Sequence, residues 1–250
     1  MAARVPDLIA LPHKPMTFAR ALKWLLVALA AGVLGVAAYS VWVVCSARQH
    51  TIATVLPRIR AAHYALAPSD LTPRQLEILL KVDDPNFFHH GGVDLSTPGA
   101  GITTITQGLV KDLYFEHFQP GIAKYKQTLI AFYVLDPLMP KEEQLRLFLN
   151  TAYLGRGARG FAQAAHIYFG RSFQALSEDQ YIALVAMLIA PQVFDLHKHP
   201  ARNAERVGRI KRLVSGAYQP RGLMDLYYGK MDPEAQKDLP PFSYFASYYQ

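Results

Sequence analysis

The sequence predicts a mainly α-helical protein with one membrane-spanning helix near its N-terminus, and three observations support this prediction. Residues 24–45 form an uncharged stretch of 22 residues, which is long enough to cross a bilayer as a helix. Helix-capping signals recur along the rest of the chain, and apolar residues with helical spacing follow them. No segment alternates between apolar and polar residues as a half-buried strand does.

The apolar stretch at residues 24–45 is predicted to be an uncleaved transmembrane anchor that follows a cytoplasmic tail at residues 1–23. Trp24, Tyr39 and Trp42 lie towards its ends, as interfacial anchors do. Four basic residues precede the stretch and three follow it closely. The positive-inside rule therefore places the N-terminus in the cytoplasm and the large domain on the outer, periplasmic face. A cleaved signal peptide is the alternative, but the stretch is too long for a typical one and no clear A-x-A site follows it closely.

Composition narrows the classes of function. The net charge is +7, and the single cysteine, Cys45, lies in the apolar stretch, so a disulfide scaffold is excluded. A modest basic excess beside a membrane suits anionic lipid headgroups or diphosphates. Nucleic acid is the alternative partner for such a charge. Because the sequence has no zinc-finger, helix-turn-helix or RNA-recognition signature, we expect no nucleic-acid binding.

After the anchor, we predict a juxtamembrane linker with some helical character at residues 46–70 and one helical domain at 71–216. An aromatic-rich tail at 217–250 is expected to pack back on the domain, with an interfacial belt that contacts lipid as the alternative. Thr72 and Gln75 form a capping box at the start of the domain's first helix. Asp84, which precedes a proline, marks the end of that helix. Further helices are predicted at residues 104–115, 123–135, 141–154, 161–169, 178–190 and 202–214.

Two details of these helices are also predicted. Pro137 and Pro140 are expected to stop the helix at residues 123–135, because proline lacks the N–H that the helix needs. Arg202, Arg206 and Arg209 are expected to share one basic face of the last helix, either solvated or in contact with the membrane.

Two groups of polar residues in the first half of the domain could take part in chemistry. Asp83 and Asp84 are adjacent and therefore diverge, so one of them can face a substrate as a proton acceptor. Thr104 stands at the start of the next helix, where Gln107 and Lys111 share one face. Free N–H groups at a helix N-terminus and a lysine charge both attract phosphate. This order predicts a group transfer with a charged leaving group.

A second pair, Lys124 and Gln127, shares a face of the following helix. Taken alone, these two residues would be ordinary surface residues. A capped amphipathic helix with a solvated lysine would likewise have the composition of the segment around Lys111. The order of all the groups together is what favours a functional interpretation.

That order resembles glycosyltransferase family 51, the peptidoglycan polymerase module of bifunctional penicillin-binding proteins and of monofunctional transglycosylases. The resemblance runs from about residue 71 to residue 216 and follows the motifs E-D-x-x-F-x-x-H-x-G, G-x-S-T-I-T-Q-Q-L-x-K-N and R-K-x-x-E. The positions that match or replace these motif residues are Asp83, Asp84, Phe87, His90, Gly92, Thr103, Thr104, Ile105, Thr106, Gln107, Leu109, Lys111, Ala123, Lys124 and Gln127.

The resemblance implies a lysozyme-like α fold on the outer face of the bacterial cytoplasmic membrane. It implies that the protein polymerises lipid II into glycan strands, with lipid II, the nascent strand, the membrane and other cell-wall synthesis proteins as partners. Asp83 would be the general base for the acceptor hydroxyl. Gln127 takes the place of a catalytic Glu that helps the leaving group. Lys111 and Lys124 would hold the donor diphosphate. The other implied substrate-binding residues are Asp84, His90, Thr104 and Gln107. A divalent ion, Mg²⁺ or Mn²⁺, is implied as cofactor, with ligands unknown.

Three substitutions keep a second hypothesis open. Asp83 and Gln127 stand where the family has Glu, and Ala123 stands where it has Arg. Asp is one methylene shorter than Glu, and an amide cannot carry the charge of a carboxylate. The alternative is a catalytically impaired protein that binds lipid II or glycan, or a scaffold for cell-wall assembly. A glycan hydrolase ranks last, because it requires two facing carboxyl groups and Glu77 is the only Glu nearby.

Overall fold

The computed structural model describes residues 17–119 and 121–239, and the chain divides into two units at residues 1–42 and 43–250. Helix α1, Phe18–His50, continues through a π-helical turn, Thr51–Val55, into α2, Leu56–Ala61. Of the described helices, only this continuous one has the length and apolar character of a membrane span. The prediction of a spanning helix is therefore consistent with the structure, and the helix extends beyond residues 24–45 at both ends.

The second unit begins inside this helix. Val55 and Ile59 are buried in the domain, and the Thr51 hydroxyl is hydrogen-bonded to the Tyr114 hydroxyl. The π-helical turn places Thr51 on the inner side, where it also donates to the Ala47 carbonyl. The first part of the predicted linker is thus helical and belongs to the core of the second unit.

Two capping boxes begin the helices that contain the motifs. In α3, Pro73–Asp83, the Thr72 hydroxyl accepts from the Gln75 amide, and the Gln75 side chain accepts from the Thr72 amide. Helix α4, Ile105–Tyr114, is capped in the same way by Thr104 and Gln107. Both helix starts, and the end of α3 before Asp84, are confirmed.

Helix α5, Ile122–Ile130, passes through a π-helical turn, Ala131–Leu135, into the short α6, Asp136–Leu138. The prediction that Pro137 stops this helix was wrong. Because Pro137 follows a wide turn in which the normal hydrogen-bond register is already broken, its ring and its missing N–H are accommodated. Pro140 does separate this segment from the next helix.

The remaining helices are α7, Lys141–Thr151, α8, Phe161–Phe169, α9, Glu178–Val185, α10, Pro200–Val214, and α11, Pro233–Lys237. Short 3₁₀ turns lie at Pro68–Asp70 and Phe173–Ala175. Helix α9 is shorter than predicted. The chain tightens into 3₁₀-type turns after Val185. Asn203 and Arg206 of α10 donate hydrogen bonds to the carbonyls of Ala183 and Ala186, which lie at the end of α9.

Helix α7 also ends earlier than predicted, because the chain pairs with itself around a glycine-rich loop. The Gly160 amide donates to the Ala152 carbonyl, and an isolated bridge joins Tyr153 to Arg159. Residues 17–119 and 121–239 contain no β-strand beyond this bridge. The mainly α prediction is therefore confirmed.

The core of the second unit is a helical layer around an aromatic cluster. Phe161, Phe173 and Tyr181 are almost fully buried, and their ring centroids lie 5.9–6.3 Å apart. Helix α3 packs against α9 and α10 on one side of the unit, and α4 packs against α5 and α7 on the other. The loop between α3 and α4, residues 84–104, joins these helices and contains most residues of the first motif and the start of the second.

Residues 217–239 fold back on the domain, and we call this segment the C-terminal strap. Tyr228 is buried, with 2% of its surface exposed, and the ring of Tyr227 packs against Phe194. For these two residues, the prediction that the tail packs on the domain is confirmed. The other predicted aromatic residues of the tail lie at positions 242–249, outside the described residues.

Candidate functional site

Asp84 joins the loop after α3 to the start of α4. Its carboxylate is 1% exposed and accepts from His90 Nε2 at 3.0 Å and from the Ile105 amide at 2.9 Å. The Gly92 amide donates to His90 Nδ1, so the ring proton of a neutral His90 lies on Nε2 and points to Asp84. A carboxylate at a helix N-terminus is favoured by both the free N–H groups and the dipole. We call these contacts the Asp84 hub.

Thr104 and Gln107 hold the start of α4 in place. The Thr104 hydroxyl donates to the Gly92 carbonyl, which ties the cap to the Asp84 hub. The Gln107 side chain is buried, and its Nε2 donates to the Thr128 hydroxyl of α5. Both residues thus use polar atoms in internal hydrogen bonds. Substrate contact by either residue stays a prediction.

Lys111 and Lys124 bring two positive charges close together, and we call them the lysine pair. Lys124 Nζ donates to the Ile102 carbonyl and to the Thr103 hydroxyl, both at 2.9 Å. Burial and then the charge of Lys111 lower the pKa of Lys124 to about 8. Burial also lowers the pKa of Lys111, although Asp112 opposes this effect. An anion bound beside the pair would relieve the repulsion between the two ammonium groups.

Gln127 lies about one helical turn after Lys124 on α5 and is almost fully buried. Its Nε2 donates to the Gln107 carbonyl at 2.6 Å, which links α5 to α4. Its Oε1 is buried and accepts no hydrogen bond from any described residue. A buried acceptor of this kind costs about 1–3 kcal/mol.

The side chains at this site do not fit a Mg²⁺ or Mn²⁺ centre. Such ions prefer several oxygen ligands, with carboxylates foremost. Asp84 already accepts from His90 and Ile105, and Gln127 offers one neutral oxygen. Within the described residues, no group of three or more His, Cys, Asp or Glu side chains could hold a metal. The divalent cofactor stays a prediction, and we assign no step to it.

Asp83 is the last residue of α3, and its surroundings differ from those of Asp84. Burial and then the negative charge of Asp84 raise the pKa of Asp83 to about 7, while Arg206 opposes this rise. The charge of Asp83 in turn contributes to the raised pKa values of Tyr181 and Tyr228. Asp83 therefore lies near α9, α10 and the C-terminal strap. Asp84 and Arg206, and neither Lys111 nor Lys124, are the charges that shift its pKa.

Arg206 is the residue near Asp83 that sequence reasoning misjudged. It was expected on a solvated or membrane-contacting basic face, but it is 3% exposed. Its Nε donates to the Ala186 carbonyl, and its guanidinium lies 5.5 Å from the Tyr228 ring centroid. A signal was present in the sequence: Arg206 shares a helical stripe with Ile210 and Leu213, both of which are buried.

Comparison with known proteins adds a family assignment to this geometry. Residues 49–214 match the family model described as transglycosylase. The chain is 30% identical over 157 residues to penicillin-binding protein 1F of Bacillus subtilis and 31% identical over 157 residues to penicillin-binding protein 1A of Aquifex aeolicus. It is 30% identical over 156 residues to penicillin-binding protein 1B of Escherichia coli.

These alignments cover a larger share of this chain than of each relative. They include 57%, 57% and 56% of this chain, but only 22%, 22% and 18% of the three relatives in the same order. The chain therefore spans less than a quarter of the length of the curated relatives that it matches. The family model ends at residue 214, before the C-terminal strap begins.

Proposed function

Because this chain belongs to the transglycosylase family, we propose that it is a membrane-anchored peptidoglycan glycosyltransferase that polymerises lipid II into glycan strands. In this reaction the hydroxyl of an acceptor sugar attacks the anomeric carbon of the donor. The bond from that carbon to the diphosphate-linked lipid breaks, and the hydroxyl proton goes to a base. Lipid II and the growing strand are the proposed substrates.

The lysine pair is the observation that most supports this proposal. Two ammonium groups on α4 and α5 are close enough for the charge of Lys111 to lower the pKa of Lys124. Thr103 adds a hydroxyl beside them. A diphosphate has enough charge to interact with both lysines, and it is the group that leaves when the lipid-linked donor chain is transferred to the acceptor sugar. Electrostatic stabilisation of a leaving group is usually a large part of catalysis.

Asp83 is the proposed general base. The sequence raised the concern that its side chain is shorter than that of Glu. Its pKa of about 7 supports the role, because a general base works best when its pKa lies near the working pH. Asp84 cannot share this role easily, since both of its oxygens accept hydrogen bonds within the hub.

Membrane attachment is supported by two features that the structure describes separately. The first is the apolar helix Phe18–Ala61. The second is a set of exposed apolar side chains on α5, on its π-helical continuation and on the loop before α4. Ile122, Tyr125, Phe132, Tyr133 and Ile102 are each at least 41% exposed. Apolar side chains grouped near a site for a lipid-linked substrate suit contact with a bilayer. We propose a periplasmic location for the domain.

A second candidate function is binding without turnover. Gln127 favours it, because a neutral amide replaces the carboxylate of the family motif and leaves one buried oxygen without a hydrogen bond. A protein of this kind would hold lipid II or glycan, or act as a scaffold for other cell-wall synthesis proteins.

One experiment separates the two functions. Purified full-length protein in detergent is mixed with lipid II, and both polymer formation and lipid II binding are measured. We expect polymer from the wild type and a loss of roughly 10²- to 10⁴-fold in Asp83→Asn, with binding retained. Asp179→Asn, which alters an exposed aspartate, is the matched control. Binding by the wild type without any polymer would favour the second function.

A further inference from the structure

The C-terminal strap begins after the end of the family match, yet it contacts the elements that contain the candidate site. The Gly99 amide donates to the Gly222 carbonyl, and the Gly101 amide donates to the Leu223 carbonyl, both at 2.9 Å. These bonds join the strap to the loop between α3 and α4. That loop leads into Thr103, which bonds Lys124.

The contact between loop and strap depends on the absence of side chains at the two glycines. A Cβ at Gly99 would lie 2.8 Å from Pro220 Cγ, and Gly99 has a φ of +80°. A Cβ at Gly101 would lie 2.8 Å from Leu226 Cδ2, at a φ of +69°. Both positions therefore combine a close approach with a backbone conformation that favours glycine. The loop is shaped to receive the strap.

The strap reaches the end of α3 through Tyr228. The Tyr228 hydroxyl donates to the Val82 carbonyl at 2.9 Å. This carbonyl lies in the last turn of α3, where no intrahelical donor is available, so the tyrosine acts as a cap. Val82 is followed directly by Asp83. The hydrogen bond thus fixes the backbone that presents the proposed base.

Two arginines of α10 bind the backbone of the strap. Arg206 Nη1 donates to the Leu226 carbonyl, and Arg209 donates to the carbonyls of Tyr227 and Lys230. The Arg206 guanidinium also packs against the rings of Tyr227 and Tyr228, 5.6 and 5.5 Å from their centroids. Arg206 therefore both binds the strap and places a positive charge near Asp83.

We propose that the C-terminal strap is a positioning element of the active site, in which Tyr228 and Arg206 fix Asp83 from behind while residues 220–226 brace the loop that leads to the lysine pair. This inference rests on the proposed function for its catalytic meaning. Tyr228 and Arg206 are positioning residues, since each acts through Asp83 or its backbone. The charged or titratable groups that interact electrostatically with Asp83 are Asp84, Tyr181, Arg206 and Tyr228.

The two positioning residues should move the pKa of Asp83 in opposite directions. Burial is the main cause of its raised pKa, so loosening the strap admits water and lowers that pKa towards the ordinary range. Arg206 opposes the rise, so removing its charge raises the pKa further. A change that only loosened the fold would not produce this opposition.

The test uses Tyr228→Phe, which keeps the ring and removes the hydroxyl, and Tyr227→Phe as control. The Tyr227 hydroxyl makes no hydrogen bond within the described residues, so the control makes the same chemical change without breaking a contact. We expect Tyr228→Phe to lower kcat roughly two- to tenfold, the size of one net hydrogen bond, with little change in KM for lipid II. The ascending limb of its pH–rate profile should move to lower pH. Tyr227→Phe should match the wild type.

Arg206→Gln should move the ascending limb to higher pH. Because Arg206 is buried and this variant could fail to fold, Tyr228→Phe alone decides the matter in that case. An unchanged kcat and pH profile in Tyr228→Phe would overturn the inference, as would equal effects in Tyr228→Phe and Tyr227→Phe.

A second readout separates this inference from the proposed function. The titration of Asp83 is followed by ¹³C NMR of aspartate-labelled protein, with Asp83→Asn used for assignment. If the wild type made no polymer, the proposed function would be wrong. The titration would still support the positioning of Asp83 by the strap if the pKa fell in Tyr228→Phe only, and an unchanged pKa would overturn it.

Discussion

Asp83 and Asp84 are neighbours in the sequence, but the structure places their carboxylates in opposite surroundings. Asp84 faces α4 and accepts hydrogen bonds from His90 and from the Ile105 amide. Asp83 lies near α10 and the C-terminal strap, and the described residues form no hydrogen bond to its side chain. The Asp84 oxygens accept hydrogen bonds from within the protein, whereas the Asp83 oxygens remain available to a ligand. A carboxylate whose oxygens all accept hydrogen bonds suits a structural role, while a partly buried carboxyl with a raised pKa suits proton transfer.

A substitution at Asp84 tests this difference between the two carboxylates most directly. Asp84→Asn removes the charge that the His90 ring and the α4 N-terminus stabilise, so we expect the free energy of unfolding to fall by about 3 kcal/mol. Chemical denaturation in detergent at pH 7 would measure the loss. The matched variant Asp83→Asn should show no loss, and equal destabilisation by both variants would show that the two carboxylates are not distinguished in this way.

The lysine pair provides the next largest effect. Lys124→Met keeps the length of the side chain and removes its charge, so the KM for lipid II should rise by about tenfold or more, as expected for a lost charged hydrogen bond of about 1.5–3 kcal/mol. Lys126→Met is the control, because two positions along α5 place it on another face. A KM that rises equally in both variants would indicate a general effect of positive charge.

The stability of Asp83→Asn relative to the wild type should depend on pH. The pKa of Asp83 rises from 3.8 to about 7 on folding, so the folded state binds its proton more tightly than the unfolded state does. The stabilisation by protonated Asp83 is complete below pH 4 and is lost as the pH rises to 7. Asp83→Asn should therefore gain about 1–2 kcal/mol over the wild type between pH 4 and pH 8, a value reduced for partial solvent screening. Denaturation at the two pH values measures this gain, and a constant difference would contradict it.

The smallest expected effect is at Gln127. Gln127→Leu removes the hydrogen bond between α5 and α4 but also removes the buried oxygen that accepts none, so stability should change by less than about 1 kcal/mol. Because that hydrogen bond helps to align the helices of the lysine pair, kcat should fall by about two- to tenfold. Polymerisation and denaturation assays on one preparation would measure both. A loss above 100-fold would instead assign Gln127 a direct part in the reaction.

The sequence was sufficient for the elements whose signals are local. The capping boxes at Thr72 and Thr104 predicted the starts of α3 and α4, because the side chain and the backbone that it caps lie within three residues. The helical class and the apolar span followed from periodicity and length. These are properties of short segments, so no knowledge of tertiary contacts was needed.

The sequence was insufficient where distant segments meet. Tyr228 contacts the carbonyl of Val82 across 146 positions, and no local pattern indicates that contact. The burial of Arg206 had a partial signal in its apolar stripe, but a charged residue is expected at the surface unless its partners are known. Pro137 was misjudged for a related reason, since a π-helical turn has no clear sequence signature.

The burial of one side of the helix at residues 43–61 determines where the domain can be separated from its anchor. Val43, Ala47, Val55, Leu56 and Ile59 are all at most 8% exposed, and Thr51 is hydrogen-bonded to Tyr114. A fragment that begins after Ala61 would expose the apolar surface that this helix covers, and Tyr114 would lose its hydrogen bond to Thr51. A detergent-free fragment for crystallisation should therefore retain the chain from Val43 onwards. A protease that cuts between residues 43 and 61 should release an aggregating product.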